Sequence, residues 1–298
     1  MRMVKAAILD DYQNVAMGFA DWSPIAKDVD ITVFDRPFAS QDEAVKALQG
    51  FPIIVGMRER TPFPRAVIEA LPDLKLLITT GGRNNSFDLK AAKERGVTVC
   101  GTGSFGSPTT GVAFGLMLEL TRHIGLENAR MKAGAPLQTT IGPDLGGMTP
   151  IAWSPNLTPE RATEGGADYA TKEELFAKAD IITIHIVLSE ATRGLITAAD
   201  IGRMKKSAFI INTSRGPIID EQALIAALQA KQIAGAGLDV FDREPLPLDH
   251  PYRTMDNVVI TPHIGYVSTQ NYGAYFPDIV EDIRGWLDGK PVRVLEAK

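Results

Sequence analysis

Three residues in the second half of the chain have side chains suited to moving a proton and holding an acid: Arg215, Glu244 and His263. Histidine titrates near neutrality, so it can both give and take a proton under physiological conditions. A carboxylate beside such a ring fixes its tautomer and favours its charged form. Arginine stays charged, and its planar fork meets a carboxylate at two points, which lysine cannot do. Arg215 follows the apolar run Phe209-Ile210-Ile211, the carboxyl end of an expected strand, where open α/β sheets bind their ligands. Four histidines compete for the proton-transfer role. His123 ends a helical stretch and His185 lies within an apolar strand, so both read as structural or as pocket lining. His250, beside Asp249 in a polar loop, and His263 stand as the two candidates.

Two series of alternating strand and helix patterns position these residues. Short apolar runs at Ala6 to Leu9, Ile31 to Phe34, Ile53 to Val55, Leu76 to Ile78 and Val97 to Cys100 form the first, and alternating βα units imply a parallel sheet covered by helices. Pro108 to Leu120 reads as a buried helix, and the Gly- and Pro-containing stretch Asn128 to Pro150 as a linker or irregular arm. The second series runs through Ile151 to Trp153, Ile181 to Ile186, Ala208 to Ile211, Ala236 to Val240 and Val258 to Ile260. Its helices include Glu221 to Gln232 and one opened by Thr171, with Glu174 three residues later in a capping box. A last amphipathic helix, about Gly273 to Asp288, is expected to return to the first domain. The fold class is therefore α/β, two Rossmann-like doubly wound parallel-sheet domains with a cleft between them. Their expected extents are 1–100 plus 273–298 and 101–272.

Composition narrows the partners. A chain of 298 residues exceeds one ordinary core, and a net charge of −5 lacks the basic excess that a nucleic-acid backbone demands. A small metabolite fits better. Cys100 is the only cysteine, so an intrachain disulfide and a cysteine-held metal are both excluded, and a reducing, cytoplasmic setting is expected. No apolar run approaches the ~20 residues of a membrane span.

Four segments occur in order: Asn212-Thr213-Ser214-Arg215-Gly216-Pro217, Gly237-Leu238-Asp239-Val240-Phe241, Glu244-Pro245-Leu246-Pro247 and Thr261-Pro262-His263-Ile264-Gly265. Together with Met57-Arg58-Glu59-Arg60-Thr61-Pro62 and Thr79-Thr80-Gly81-Gly82-Arg83-Asn84, they closely resemble the D-isomer-specific 2-hydroxyacid dehydrogenases. The resemblance implies hydride transfer between NAD or NADP and a small 2-keto or 2-hydroxy acid. His263 would be the proton donor, Glu244 its partner and Arg215 the substrate anchor. It further implies a substrate-carboxylate loop at Gly82 and Arg83 with Arg58 beside it. Thr213, His185, Gly265 and Asp239 would line the cofactor pocket, Asp239 facing the nicotinamide, and the assembly would be a homodimer.

One expected part is missing. A dinucleotide domain opens with a strand, G-x-G-x-x-G, a helix, and a second strand ending in an acidic residue about 20 residues on. Ile151-Ala152-Trp153-Ser154 resembles that second strand, yet counting back reaches Arg130 to Gly134, with neither glycine loop nor apolar strand. A βα unit is expected to be absent after Gly147. The literal match Gly101-Thr102-Gly103-Ser104-Phe105-Gly106 reads as coincidental, because no suitable second strand follows its helix. Loss of the central strand predicts a hole between the strands at Ile151 and Ile181, so that either Ile151 to Trp153 slides across to pair with Ile181 to Ile186 or the domain folds poorly and aggregates. Ser154, in the acidic position, carries no charge to repel the extra phosphate of NADP. The alternative reading is a non-enzymatic binding or regulatory protein on the same fold.

Overall fold

A computed structural model describes residues 3–297. The chain divides into two compact units, one running to Gly106 and resuming at Val267, the other spanning Ser107–Tyr266. The boundaries lie a few residues from those expected, because hydrogen bonds hold the crossing segments. The Gly103 amide donates to Asp278 and the Phe105 amide to Asn271, which keeps this stretch on the first unit.

The first unit is built on β1 (Val4–Ile8), β2 (Val29–Val33), β3 (Ile53–Gly56), β4 (Leu76–Thr79) and β5 (Thr98–Gly101), in the parallel order β2-β1-β3-β4-β5. All four residues of both β3 and β4 are buried, as expected of strands covered on both faces. The intervening helices are α1 (Gln41–Ala47), α2 (Arg65–Glu69) and α3 (Leu89–Glu94). Ser40 and Asp88 cap α1 and α3 by accepting the amides of Glu43 and Ala91. The C-terminal helix, Thr269–Leu287, buries Tyr275, Phe276 and Ile279 in this unit. Beyond it, the Leu295 amide donates to Val99 and the Gly101 amide to Arg293, so the tail covers the open edge of β5.

The second unit holds β6 (Ile151–Ala152), β7 (Asp168–Tyr169), β8 (Ile181–Ile184), β9 (Phe209–Asn212), β10 (Gly235–Leu238) and β11 (Val258–Ile260). Its helices are α4 (Pro108–Arg122), α5 (Ile124–Lys132), α6 (Pro159–Glu164), α7 (Lys172–Lys178), α8 (Ala198–Ile201) and α9 (Glu221–Gln229). One face of the main sheet buries Ile182, Ile184, Ile210, Ala236 and Leu238 against Phe176, Leu224 and Leu228. On the other face α4 lays Ala113, Leu116 and Leu120 over Ile211. The approach is close enough to require glycine: a Cβ on Gly237 would sit 3.0 Å from that of Leu116. Residues 108–120 are not buried throughout, as the sequence suggested, since Phe114 is 55% and Leu118 37% exposed. The expected arm begins later as well, because α5 carries the chain to Lys132.

The parallel sheet is split. Strands β8 to β11 form one sheet in the order β11-β10-β9-β8, while β6 and β7 pair only with each other. No ladder joins the two among the described residues, so β8 is an edge strand where a doubly wound domain has its centre. The slide of Ile151 across to Ile181 does not occur. The ladder it would add is short, since β6 has two paired residues and Pro150 before it has no N–H. Ile151 instead packs its side chain against the core under β8 to β11. The vacated side leaves Thr183 and His185 exposed.

No helix among the described residues is long and apolar enough to cross a membrane. No group of three or more His, Cys, Asp or Glu among them is placed to hold a metal ion.

Candidate active site

In the second unit, the chemistry-bearing side chains gather on the loops that leave β9, β10 and β11. His263 lies in the loop after β11 with φ 55°, and its Nδ1 is 2.7 Å from Glu244 Oε2. Glu244 is itself oriented, because its Oε1 accepts the Phe241 amide at 3.1 Å. A ring nitrogen facing a carboxylate keeps its proton, which leaves Nε2 as the atom for proton exchange. Both side chains are mostly buried, 18% and 24% exposed.

Asp239 holds this loop in place. It is fully buried; Oδ1 accepts from the Thr261 hydroxyl at 2.6 Å and the Ile264 amide at 2.8 Å, and Oδ2 from the Gly265 amide at 2.8 Å. Both oxygens are thus committed to the segment that carries His263. Gly265 is tightly enclosed, since a Cβ there would stand 3.0 Å from Asp239 Oδ2 and 3.2 Å from Thr109. The Thr109 hydroxyl donates to the Gly265 carbonyl at 3.0 Å.

Arg215 leaves the end of β9 on a turn organised by Asn212, whose part in the site its residue type alone does not signal. Asn212 donates to the Arg215 carbonyl at 2.9 Å and accepts the Ser214 amide at 3.0 Å. The Ser214 hydroxyl donates to the Ile186 carbonyl, tying this turn to the chain beyond β8. Gly216 lies against Phe241, where a Cβ would come within 2.1 Å of backbone. Thr213 is buried and its Oγ1 has no protein partner.

His250, the competitor to His263, has a structural task. Its Nδ1 accepts the Tyr252 amide at 3.3 Å, capping a short turn, and its ring packs 4.7 Å from that of Tyr252. His123 is the left-handed junction between α4 and α5. His185 lies exposed just past β8, its Nε2 3.0 Å from the Thr183 hydroxyl.

In the first unit, the loop after β4 presents Gly82 and Arg83 at the surface. Thr102 accepts the Gly81 amide at 2.7 Å, whereas no group among the described residues accepts from the amides of Gly82 and Arg83. Arg58 Nη1 donates to the Thr80 carbonyl at 3.0 Å and lies over Gly81. Any side chain at Gly81, whose φ is 88°, would collide with that guanidinium. The outcome is a turn with two outward amides beside a fixed positive charge, a surface that favours an anion.

A dinucleotide's two halves meet different surroundings in the second unit. At the nicotinamide end, the partnerless buried Thr213 hydroxyl and the close-packed Gly265 turn lie at the strand ends where a ring would dock. At the diphosphate end the residues do not fit. The half-buried Ser154 is followed by Pro155, and α6 opens with Pro159 and Glu160, so this turn offers few amides and an opposing charge. The literal glycine match at Gly101 to Gly106 is no substitute. The amides of Gly101, Thr102, Gly103 and Phe105 donate to Arg293, Thr79, Asp278 and Asn271, and Asp278 would repel a phosphate.

Comparison with known proteins gives this geometry a context. Residues 144–265 match the family described as D-isomer specific 2-hydroxyacid dehydrogenase, NAD binding domain. The chain is 32% identical to hydroxypyruvate reductase of Thermotoga maritima over 271 residues, covering 82% of this chain and 87% of that protein. It is 29% identical to hydroxypyruvate reductase of Blautia hydrogenotrophica over 323 residues, covering 98% and 99%. Among solved structures, phosphoglycerate oxidoreductase of Vibrio cholerae superposes with a TM-score of 0.90 at 31% identity, covering 96% and 100%. The chain also spans about half the length of two D-3-phosphoglycerate dehydrogenases. The Blautia match extends over 323 positions against a chain of 298 residues. The shortfall is about the size of one strand–loop–helix unit.

Proposed function

The chain belongs to the D-isomer-specific 2-hydroxyacid dehydrogenase family of NAD(P)-dependent oxidoreductases, and we propose that its own reaction interconverts a small 2-keto acid and the D-2-hydroxy acid. The observation that carries this reading is the 2.7 Å pair of His263 and Glu244 on a loop locked by Asp239, in the same unit as Arg215. The names of the relatives, hydroxypyruvate reductases among them, support a short polar acid.

NAD(P)H, when bound, supplies the hydride. The protein's own contribution is proton transfer and charge. His263 Nε2 holds a proton for the alkoxide that forms on the substrate and takes it back in the oxidative direction. Glu244 keeps Nδ1 protonated and offsets the charge of the imidazolium. Arg215 would grip the carboxylate with its fork and polarise the neighbouring carbonyl. On the first unit, the amides of Gly82 and Arg83, with Arg58, support an anion contact of that unit's own. Thr213, His185, Gly265 and Ser154 would face the cofactor, while Asp239 serves by positioning His263. The uncharged Ser154 supports use of either NAD or NADP. The exposed apolar side chains of α4 support a homodimer, and a single buried cysteine supports a cytoplasmic setting.

Keto-acid-dependent oxidation of NADH and NADPH by the full chain tests this reading, with His263→Gln and His250→Gln compared. Loss in the first variant and retention in the second is expected; full activity of His263→Gln would refute the assignment. The edge-exposed β8 favours a second reading, a binding protein that kept the fold. It predicts that keto acids and nicotinamide cofactors bind without turnover.

A further inference from the structure

We infer that the cofactor site of this chain is cut down to its mononucleotide half, so that reduced nicotinamide mononucleotide serves it about as well as NADH. The inference rests on the proposed dehydrogenase site at the ends of β8 to β11 and concerns what that site recognises.

A dinucleotide is held at three places: the nicotinamide riboside, the diphosphate and the adenosine. The diphosphate grip comes from a glycine turn at a helix amino terminus, whose free N–H groups and positive dipole end meet the two phosphates. Its natural position is the strand between β6 and β8, and there the two sheets share no ladder. Helices near the gap do not replace it. Helix α6 has Thr158 accepting the Arg161 amide, proline at its first position and Glu160 in its first turn. Helix α7 is sealed by its capping box, with Thr171 accepting the Glu174 amide and Glu174 accepting the Thr171 amide. Neither therefore offers the run of free amides that a diphosphate needs.

The adenosine contact is weakened by the same defect. In the doubly wound arrangement the adenosine packs at the end of the second strand, here the two-residue β6, reached only across the diphosphate. With no grip in the middle, the adenine half gains little from being tethered, because an unheld linker loses the benefit of effective concentration. The nicotinamide end is different. Thr213 keeps a buried hydroxyl with no protein partner, and Asp239 fixes the loop of Ile264 and Gly265 through three hydrogen bonds. None of these contacts uses β6, β7 or the vacated strand.

The chemical step would balance with either donor. Either donor would supply the hydride that forms the new C–H bond at the keto carbon, breaking its own C–H bond, while His263 would give its proton to the resulting alkoxide. The oxidised nicotinamide mononucleotide would be released in place of NAD.

Calorimetric titration of the full-length chain with NADH, reduced nicotinamide mononucleotide and ADP-ribose provides the test. The expected result is a dissociation-constant ratio between the mononucleotide and NADH of less than about tenfold. ADP-ribose should displace neither. A larger preference for NADH, displacement by ADP-ribose, or absence of mononucleotide binding would overturn the inference. Keto-acid turnover that depends on His263, found together with a strong NADH preference, would overturn it and leave the proposed function standing. Absence of turnover with either donor would instead count against the proposed function, while the binding ratio still judges the inference.

Discussion

Replacing Asp239 by Asn isolates the lock that holds the His263 loop. The carboxylate accepts three hydrogen bonds, at 2.6, 2.8 and 2.8 Å, from a hydroxyl and two backbone amides. An asparagine offers one acceptor oxygen, and its NH2 must face whatever the other oxygen faced. If the remaining oxygen serves Thr261 and Ile264, the Gly265 N–H confronts another donor; with the amide turned over, the Ile264 N–H does. A lost hydrogen bond to a charged group costs roughly 1.5–3 kcal/mol, and a buried amide left unsatisfied about 1–3 kcal/mol more. The expected destabilisation is thus on the order of 3–5 kcal/mol, a fall of roughly 10 °C in the melting transition of the second unit. Because the loop carries the proton donor, kcat should fall at least about tenfold, with a smaller change in KM for the keto acid. Scanning calorimetry and steady-state kinetics on the same preparation measure both. An unchanged transition together with wild-type kcat would refute the reasoning, since it would mean that the loop holds its shape without the carboxylate.

Further outcomes follow from other parts of the molecule. Arg215→Lys should raise KM for the keto acid and lower kcat/KM by about tenfold or more, because an ammonium cannot match a carboxylate at two points; kinetics equal to the parent's would remove Arg215 as anchor. Inserting a strand, glycine loop and helix after Gly147 should strengthen NADH binding, measured by calorimetry, and tight stoichiometric binding by the chain without the insertion would contradict the split-sheet account. Asp282 is fully buried, its Oδ2 has no partner, and burial pushes its carboxyl up to about 7 despite Arg293, with Asp278 and Glu281 adding to the rise. A raised acid binds its proton more readily folded than unfolded, so its stabilising effect is complete at low pH and is lost as pH rises through about 7. The melting temperature of the parent relative to Asp282→Asn should therefore decline between about pH 5 and pH 8, and a flat difference would show that Asp282 does not titrate there.

The strands were legible because the central positions of a parallel sheet read as unbroken apolar runs, and β3, β4 and β9 lie within a residue or two of where those runs predict them. The capping box at Thr171 and Glu174 marked the start of α7. The missed elements carry no such signal. Asp168–Tyr169 is a two-residue strand with both side chains exposed, and α5 buries none of its residues. The missing βα unit was legible by counting back from Ile151, but its consequence was not. Whether β6 closes on β8 depends on packing of Ile151 rather than on any pattern along the chain. At the candidate site, Arg215, Glu244 and His263 were selected from residue type and motif order, and the fold brings His263 and Glu244 into contact. His263 was preferred to His250 from motif order, and the fold adds that His250 is engaged with Tyr252. The task of Asp239 was hidden for a similar reason, its partners lying 22 to 26 residues further along the chain.

The central claim is that a D-specific hydride transfer with His263 as proton donor takes place on this shortened scaffold. Incubating the full chain with a 2-keto acid and a dihydronicotinamide cofactor deuterated at the transferring carbon tests it most directly. The account predicts D-2-hydroxy acid carrying deuterium at C2, formed by the parent and by His250→Gln but not by His263→Gln. Unlabelled product, label in the L-isomer, or undiminished labelling by His263→Gln would contradict it.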